Sequence, residues 1–350
     1  RDRSLSGPED PNFDSYVMDE FAGGNYDAEE QIAAFYAMIV DKLGDDVTLI
    51  AGARFESTSI NYTGQVFDEE EDELPSDIGS VSGGNDYYNI LPNLTLQWDV
   101  NDELNFNFAF TQSIARPSYY DLVPYEYSNS DDQELALGNP DLKASLSTNF
   151  DIMGEWYFGG LSLLSFGYFS KDIKDWIYQY TTNNYTYAGV NGYELSQLRN
   201  GEKASVSGFE LGFQTKFLKN FTFMGNYTST DSSTNNVEGR DDVPLTGQVD
   251  DMYNLSLAFE NSKFFVRASM NYASEALDEL SGDAYEDRYY DEQTFVDINA
   301  NYKVNDKLSI FAEGKNLTNQ PLRYYQGIQQ RTMQIEYYNL SWTLGLKYDF

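Results

Sequence analysis

The stretch Asn339-Leu340-Ser341-Trp342-Thr343-Leu344-Gly345-Leu346-Lys347-Tyr348-Asp349-Phe350 decides the fold. Leu340, Trp342, Leu344, Leu346, Tyr348 and Phe350 share one parity, and the residues between them are polar or small. A period of two over this length is a strand with two unlike faces, longer than the usual strand of a soluble domain. About ten tilted residues carry a strand across a bilayer, and apolar-out, polar-in alternation is what a membrane barrel requires.

Working back along the chain, the same pattern recurs. Outward rows read Val47, Leu49, Ala51, Ala53, Phe55; Leu94, Leu96, Trp98; Leu104, Phe106, Phe108, Phe110; and Phe150, Ile152, Trp156, Phe158. They continue as Phe209, Leu211, Phe213; Phe221, Phe223, Tyr227; Tyr253, Leu255, Leu257, Phe259; Val266, Ala268, Met270, Tyr272; Val296, Ile298, Ala300, Tyr302; and Leu308, Ile310, Ala312. The opposite parity is polar, as in Asn105, Asn107, Asn149, Asp151, Glu210, Gln214, Asp297 and Asn299. Leu161 to Lys171 is apolar on both parities, so its facing stays open. Glu29 to Leu43 places Ile32, Ala34, Tyr36, Met38 and Val40 on one parity but is blurred by Ala33, Phe35 and Ile39; a strand is preferred there over a helix.

Short turns fall at Asp45-Asp46, Asn101-Asp102, Gly159-Gly160, Lys219-Asn220, Asn261-Ser262 and Asn305-Asp306, all suited to tight hairpins. A soluble sandwich shows the same alternation. Tight turns at one end and loops of roughly 15 to 30 residues at the other favour an outer-membrane barrel, with its turns periplasmic and its loops outside. The expected class is therefore all-β, an antiparallel transmembrane β-barrel with about thirteen crossings. That count is odd, and complete bacterial barrels have an even one. An amino-terminal piece is thus expected upstream, and the strand of Phe350 should not pair with Glu29 to Leu43.

Composition agrees with this class. The 29 Tyr and 23 Phe suit two aromatic girdles, and no run of eighteen apolar residues offers a membrane helix. With 57 acidic and 22 basic residues the formal charge is −35, which removes a general nucleic-acid binder. The chain has no Cys and no His, so disulfides, thiolate metal sites and imidazole-dependent hydrolysis are excluded. No catalytic, cofactor or metal site is expected. Arg1 to Asp14 contains no apolar signal core; either processing removed one or the chain starts inside a larger protein.

Several stretches then carry a resemblance: Asn89-Ile90-Leu91-Pro92-Asn93, Ser113-Ile114-Ala115-Arg116-Pro117, Leu137-Gly138-Asn139-Pro140-Asp141-Leu142, Phe169 to Asp175, Asn200-Gly201-Glu202 with Gly208-Phe209-Glu210, and Gly314-Lys315-Asn316-Leu317-Thr318-Asn319. In this order they resemble the carboxy-terminal barrel portion of TonB-dependent outer-membrane receptors, over about Glu29 to Phe350. The resemblance implies part of a 22-stranded barrel whose plug domain is not recognisable here. It also implies residence in the outer membrane of a Gram-negative bacterium. It implies partners in outer-membrane lipid, TonB through the upstream region, the barrel-assembly machinery and, in some members, a surface lipoprotein. Trp342, Leu344, Leu346, Tyr348 and Phe350 look like the assembly signal. Residues 1–28 read as an extracellular loop segment and 29–350 as barrel.

Loop aromatics are the candidate ligand contacts: Tyr119, Tyr120, Tyr125, Trp176, Tyr185, Tyr187, Tyr289, Tyr290, Tyr324 and Tyr325. Aromatic faces over a barrel mouth can stack on sugars or on catecholate rings. The competing reading is the outer aromatic girdle, which needs Tyr at the same height. Arg116 is read as pairing with a loop carboxylate, and Asn139-Pro140-Asp141 as a turn. The acidic run Asp68 to Glu73 and the pairs Asp131-Asp132, Asp241-Asp242 and Asp250-Asp251 lack the spaced ligands of a calcium loop and read as solvated charge. Active uptake of an oligosaccharide or a ferric siderophore is the expected function. A passive pore or surface-binding barrel is the alternative, and an enzyme is not expected.

Overall fold

The computed structural model describes residues 25–68, 79–130, 132–235 and 237–350, without the side chains of 65–68. The segment 1–24, Asp131 and, apart from the backbone of Asp68, the acidic run Asp68 to Glu73 lie outside the described residues. In chain order the elements are β1 (Tyr26–Lys42), β2 (Val47–Asp68), β3 (Gly79–Asn101), β4 (Leu104–Ala115), the one-turn helix α1 (Tyr119–Leu122), β5 (Glu126–Asn129), β6 (Glu134–Leu137), β7 (Ser145–Phe158), β8 (Ser162–Lys174), β9 (Ile177–Tyr187) and β10 (Val190–Asn200). They continue with β11 (Lys203–Phe217), β12 (Phe221–Asn235), β13 (Asp251–Glu260), β14 (Phe264–Ala273), β15 (Ala276–Ser281), β16 (Arg288–Tyr290), β17 (Gln293–Lys303), β18 (Leu308–Lys315), β19 (Leu322–Gln326), β20 (Thr332–Glu336) and β21 (Ser341–Tyr348).

Thirteen of these form one antiparallel wall in the order β1-β2-β3-β4-β7-β8-β11-β12-β13-β14-β17-β18-β21. The short turns lie where expected. Three repeat one device: the side-chain oxygen of Asn101, Asn261 or Asn305 accepts the backbone N–H groups two and three residues ahead, at 2.8–3.0 Å. The asparagine thereby replaces a backbone partner that a tight reversal cannot supply. Within the described residues β21 bonds only to β18 and β1 only to β2, so the wall is an open sheet with no pairing between its first and last strands.

Cross-strand pairs hold the expected outward rows on one face, as in Leu94↔Phe110, Phe223↔Leu257, Leu255↔Met270 and Ile310↔Leu346. An aromatic belt closes this face at the turn end, with Trp98–Phe106, Trp156–Phe158, Phe221–Phe259, Phe264–Tyr302 and Tyr348–Phe350 centroids 4.7–5.9 Å apart. A second belt of Phe55–Tyr88, Phe209–Tyr227 and Tyr253–Tyr272 closes it at the loop end. An apolar band between two aromatic girdles is the lipid-facing surface of a barrel. The other face carries side-chain hydrogen bonds such as Asn254 to Asn226 (2.9 Å) and Asn149 to Thr111 (3.2 Å).

Three details refine the sequence reading. Strand β1 starts at Tyr26, ahead of the expected Glu29. Its partner row fixes its facing: Phe35 opposes Phe55 and Ile39 opposes Ala51, so Phe35, Ala37 and Ile39 point outward, and Ile32, Ala34, Tyr36, Met38 and Val40 form the concave row. On β8, Leu164 opposes Trp156 and Tyr168 opposes Ile152, so Leu164, Phe166 and Tyr168 face lipid while Leu163, Ser165 and Gly167 face inward.

The long loops contain strands of their own. β5 joins β2 in parallel, β6 pairs β5, β10 joins β6 in parallel, β9 pairs β10, and β15 joins β9 in parallel. β16, β19 and β20 follow. A continuous canopy β2-β5-β6-β10-β9-β15-β16-β19-β20 thus spans the loop end of the wall. Its apolar packing is separate from the lipid-facing rows: Trp176, Tyr178, Ala204, Val237, Val243, Leu277 and Leu280 form one cluster, and Ile60, Tyr62, Leu122, Val123 and Leu142 another. Pairing distant loops this way satisfies backbone groups that an irregular loop would leave to water.

Candidate functional site at the mouth of the wall

The motif asparagines build the join between wall and canopy. The Asn200 carboxamide accepts the Lys143 N–H (2.8 Å) and donates to the carbonyls of Asp175 (2.7 Å) and Lys143 (3.0 Å). Asn139 donates to the Leu198 carbonyl (2.9 Å) and caps its own turn by accepting from Asp141 (3.1 Å). Two glycines permit the contact. A Cβ on Gly138 would enter the Val123 carbonyl, and one on Gly201 would enter the Trp176 indole. The turn reading of Asn139-Pro140-Asp141 therefore gains a role, since it fixes the canopy over the wall.

Beneath that join lies a vestibule of about 490 Å³ on the concave face. It is lined by Ser113 of β4, Ser145 and Ser147 of β7, Ile173 of β8, Trp176, and the segment Leu245-Thr246-Gly247-Gln248. The lining is hydroxyl, amide and apolar, without a charged side chain. Trp176 is 5% exposed, and its indole N–H is buried without a protein partner. Sequence reasoning missed Ser113, Ser145, Ser147 and Gln248. The available signal was inward parity at the loop end of a strand.

Several ion pairs lie in the canopy and at its rim. Arg199 pairs with Glu238 (2.8 Å) and lies 3.9 Å over the Tyr180 ring, while the Tyr178 hydroxyl donates to Glu238 (2.8 Å). Burial and the neighbouring Glu238 push the Tyr178 hydroxyl well above the ordinary phenol range, so it remains a donor. Arg240 grips Asp287 with two nitrogens (2.9 and 2.6 Å), Arg288 holds Asp278 and Glu279, and Arg323 holds Asp291. Arg116 pairs with Glu56 (2.6 Å) and bonds Thr58 (3.1 Å), so its carboxylate partner is on strand β2 rather than in a loop.

The ten aromatic candidates do not form one stack. Tyr120 stacks on Tyr125 at 4.4 Å beside α1, and Tyr119, 43% exposed, donates to Glu30. Burial, then Tyr120, raises the Tyr125 hydroxyl far above its usual range. Tyr187 packs edge-on against Tyr193 and donates to Glu126 (2.5 Å), with Tyr185 exposed nearby on β9. Tyr289 stacks on Tyr325 at 5.2 Å, and Tyr325 is 3% exposed with its hydroxyl donating to Glu275. Tyr290 and Tyr324 face each other on the opposite side of that sheet. None belongs to the girdle formed by the wall strands, and Trp176 alone lines the vestibule. The acidic pairs form no cluster of three or more metal-capable groups among the described residues.

Comparison with known proteins gives this architecture a family. The family described as TonB dependent receptor-like, beta-barrel matches residues 2–317. Among solved structures, the ferric-catecholate import receptor Fiu of E. coli K12 superposes with a TM-score of 0.68 at 16% identity, covering 93% of this chain and 45% of that one. The copper transporter OprC gives 0.67 at 13% identity (93% and 48% covered), and the siderophore receptor PiuA of Acinetobacter baumannii 0.65 at 13% (93% and 44%). The chain spans about half the length of these structures. No curated protein matches it. With the lipid-facing band and the loop-end canopy, the match places the wall in the outer membrane of a Gram-negative bacterium, and the chain belongs to the TonB-dependent receptor β-barrel family.

Proposed function

We propose that this chain supplies the wall and extracellular canopy of a receptor that takes up a scarce ligand by TonB-linked force. The uncharged vestibule under an ion-paired canopy carries the reading: it is a concave, partly apolar space with a few convergent hydroxyl and amide groups, as ligand sites are. Its aromatic contact is Trp176, with the exposed Tyr119 and Tyr185 at the canopy rim as first encounters.

The ligand class follows from charge. Five canopy and rim arginines, Arg116, Arg199, Arg240, Arg288 and Arg323, are engaged by carboxylates. A chain of formal charge −35 repels an anionic complex at long range unless free cations offset it. A neutral oligosaccharide is therefore the favoured cargo. A ferric siderophore is the second reading, supported by the names of Fiu and PiuA among the structural neighbours. The remaining partners are outer-membrane lipid along the apolar band, TonB through a region outside this chain, the barrel-assembly machinery at β21, and a surface lipoprotein.

Uptake by cells expressing the full-length receptor tests this directly. Labelled neutral oligosaccharides and ferric catecholates are supplied in parallel. Saturable uptake of one class should vanish when the proton-motive force is collapsed. Uptake that persists unchanged supports a passive pore and removes the proposal.

A further inference from the structure

The sheet β15-β16-β19-β20 is an upward continuation of the wall. Tyr272 pairs with Thr294 in the β14–β17 ladder, and Ala276 pairs with Tyr290 in the β15–β16 ladder, four residues further along each strand. The register therefore passes from one ladder to the next without a slip, and the Asp291 N–H donates to the Arg323 carbonyl (3.0 Å) across the join with β19. Alternation then holds from Tyr302 up to Arg288. Val296, Ile298, Ala300 and Tyr302 face lipid, and Tyr290 and Arg288 share their parity. The Tyr272 hydroxyl reaches Glu292 on this same outer side (3.1 Å). The other parity turns inward, where Tyr289 packs against the canopy cluster.

On the outer side a groove of about 430 Å³ is lined by Arg288, Leu322, Tyr324, Met333, Gln334 and Glu336. Tyr324 lines this groove, and the Tyr290 ring packs against it, centroids 4.8 Å apart. The Arg288 guanidinium lies 5.6 Å from the Tyr324 ring, and Gln334 and Glu336 stand opposite Tyr324 and Leu322 on the neighbouring strand. Glu336 accepts from Tyr338 and Gln334, which hold its carboxyl below the usual range and keep it an acceptor. Tyr290 is four residues beyond Thr294, which is level with the upper girdle tyrosine Tyr272. At about 3.3 Å per residue that is roughly 13 Å along the strand, past the hydrocarbon and at the level of the headgroups.

A half-buried aromatic pair edged by a guanidinium, an amide and a carboxylate offers a flat apolar platform and planar groups that each address two neighbouring hydroxyls. That combination fits a pyranose ring, whose C–H face is apolar and whose rim is hydroxyl. Phosphate and other anions fit poorly, because Arg288 is outnumbered by Asp278, Glu279 and Glu336. We propose that this outer groove is a binding site for a neutral saccharide unit, and its height beside the bilayer identifies the sugar of an outer-leaflet glycolipid as the occupant. It lies outside the uptake route and is independent of the cargo.

The test uses purified full-length receptor and four probes: lipopolysaccharide, a dephosphorylated core oligosaccharide cut from it, soluble glucose oligomers, and phospholipid vesicles without glycolipid. Binding is measured for the wild type, for Tyr324→Ala, and for Gln334→Ala at the exposed rim, with heat-modifiable electrophoretic migration confirming the fold of each. The expected result is binding of the glycolipid and of its detached oligosaccharide, weakened at least tenfold in both variants, with no binding of the vesicles. Glycolipid binding without oligosaccharide binding, or equal affinity in wild type and both folded variants, overturns the saccharide site. Preference for soluble glucose oligomers over the glycolipid sugar overturns the assignment of its occupant. No step needs proton-motive force, so a failed uptake assay leaves this test intact.

Discussion

Asp287 is the fully buried anion of the canopy, and replacing its partner Arg240 by alanine is the most informative perturbation of the join. The carboxylate accepts two bonds from Arg240 (2.9 and 2.6 Å) and one from the Ser281 N–H (2.9 Å), and its backbone carbonyl accepts from Gly327 (2.8 Å). One residue thereby ties the β12–β13 loop to the β15–β16 loop and the β19–β20 turn. Arg240→Ala leaves a charge at 0% exposure with a single side-chain bond, a loss of about 3–5 kcal/mol. Asp287→Ala leaves Arg240 at 21% side-chain exposure, able to reach water, and costs about 1–3 kcal/mol. Canopy opening should therefore rise by about two to three and a half orders of magnitude in Arg240→Ala and clearly less in Asp287→Ala. The double variant should fall near Asp287→Ala, since the stranded charge is gone. Hydrogen exchange of the Ser281 and Gly327 amides in full-length protein reads this opening. Equal protection in wild type and Arg240→Ala, or greater opening in Asp287→Ala, would refute the reasoning.

Other outcomes follow from the same geometry. Gly138→Ala should separate the β5–β6 hairpin from the Val123 turn, seen as protease cleavage within 123–138 while the wall stays resistant. Trp176→Ala should destabilise the canopy by about 3–5 kcal/mol in chemical denaturation, whereas Tyr185→Ala, on an exposed ring, should leave stability within about 0.5 kcal/mol and weaken only cargo capture. The Asp250 carboxyl is raised by burial and then by Asp251, Asp231 and Glu275, so its cost to the folded state is present above its folded pKa and relieved as pH falls through it. Asp250→Asn should accordingly raise the canopy's thermal midpoint at neutral pH, with the gain shrinking on acidification; a gain that grows on acidification contradicts this. Deleting the fully exposed Phe350 should lower the yield of assembled barrel in cells more than the unfolding midpoint of the barrel that does assemble.

Sequence patterning reached the wall because its determinants are local. A two-residue period and an Asn at a tight turn act over a few positions, and eleven of the thirteen wall strands could be faced from them. Strands β1 and β8 resisted because both their parities are apolar; only the partner row of β2 assigns Phe35 and Ile39 to the lipid side, and only that of β7 assigns Leu164 and Tyr168. The canopy was illegible for a different reason. Its parallel pairings, such as Leu195 with Leu135 and Leu280 with Tyr180, join loops 60 and 100 residues apart, and no local spacing encodes them. The aromatic candidates suffered the same limit. Composition placed them in loops, but burial separates Trp176 and Tyr325 from the exposed Tyr119 and Tyr185, and only register continuity puts Tyr290 and Tyr324 outside the wall.

The central claim is that the wall presents one parity to lipid and the other to an aqueous lumen. A spin-label scan along β12 from Phe221 to Tyr227, in full-length receptor reconstituted in a bilayer, measures it most directly. Labels at Phe221, Phe223 and Tyr227 should collide with dissolved oxygen in the hydrocarbon, and labels at Thr222, Met224 and Asn226 should be shielded from it, giving a period of two. Uniform accessibility along the strand, or the inverse alternation, would contradict the account.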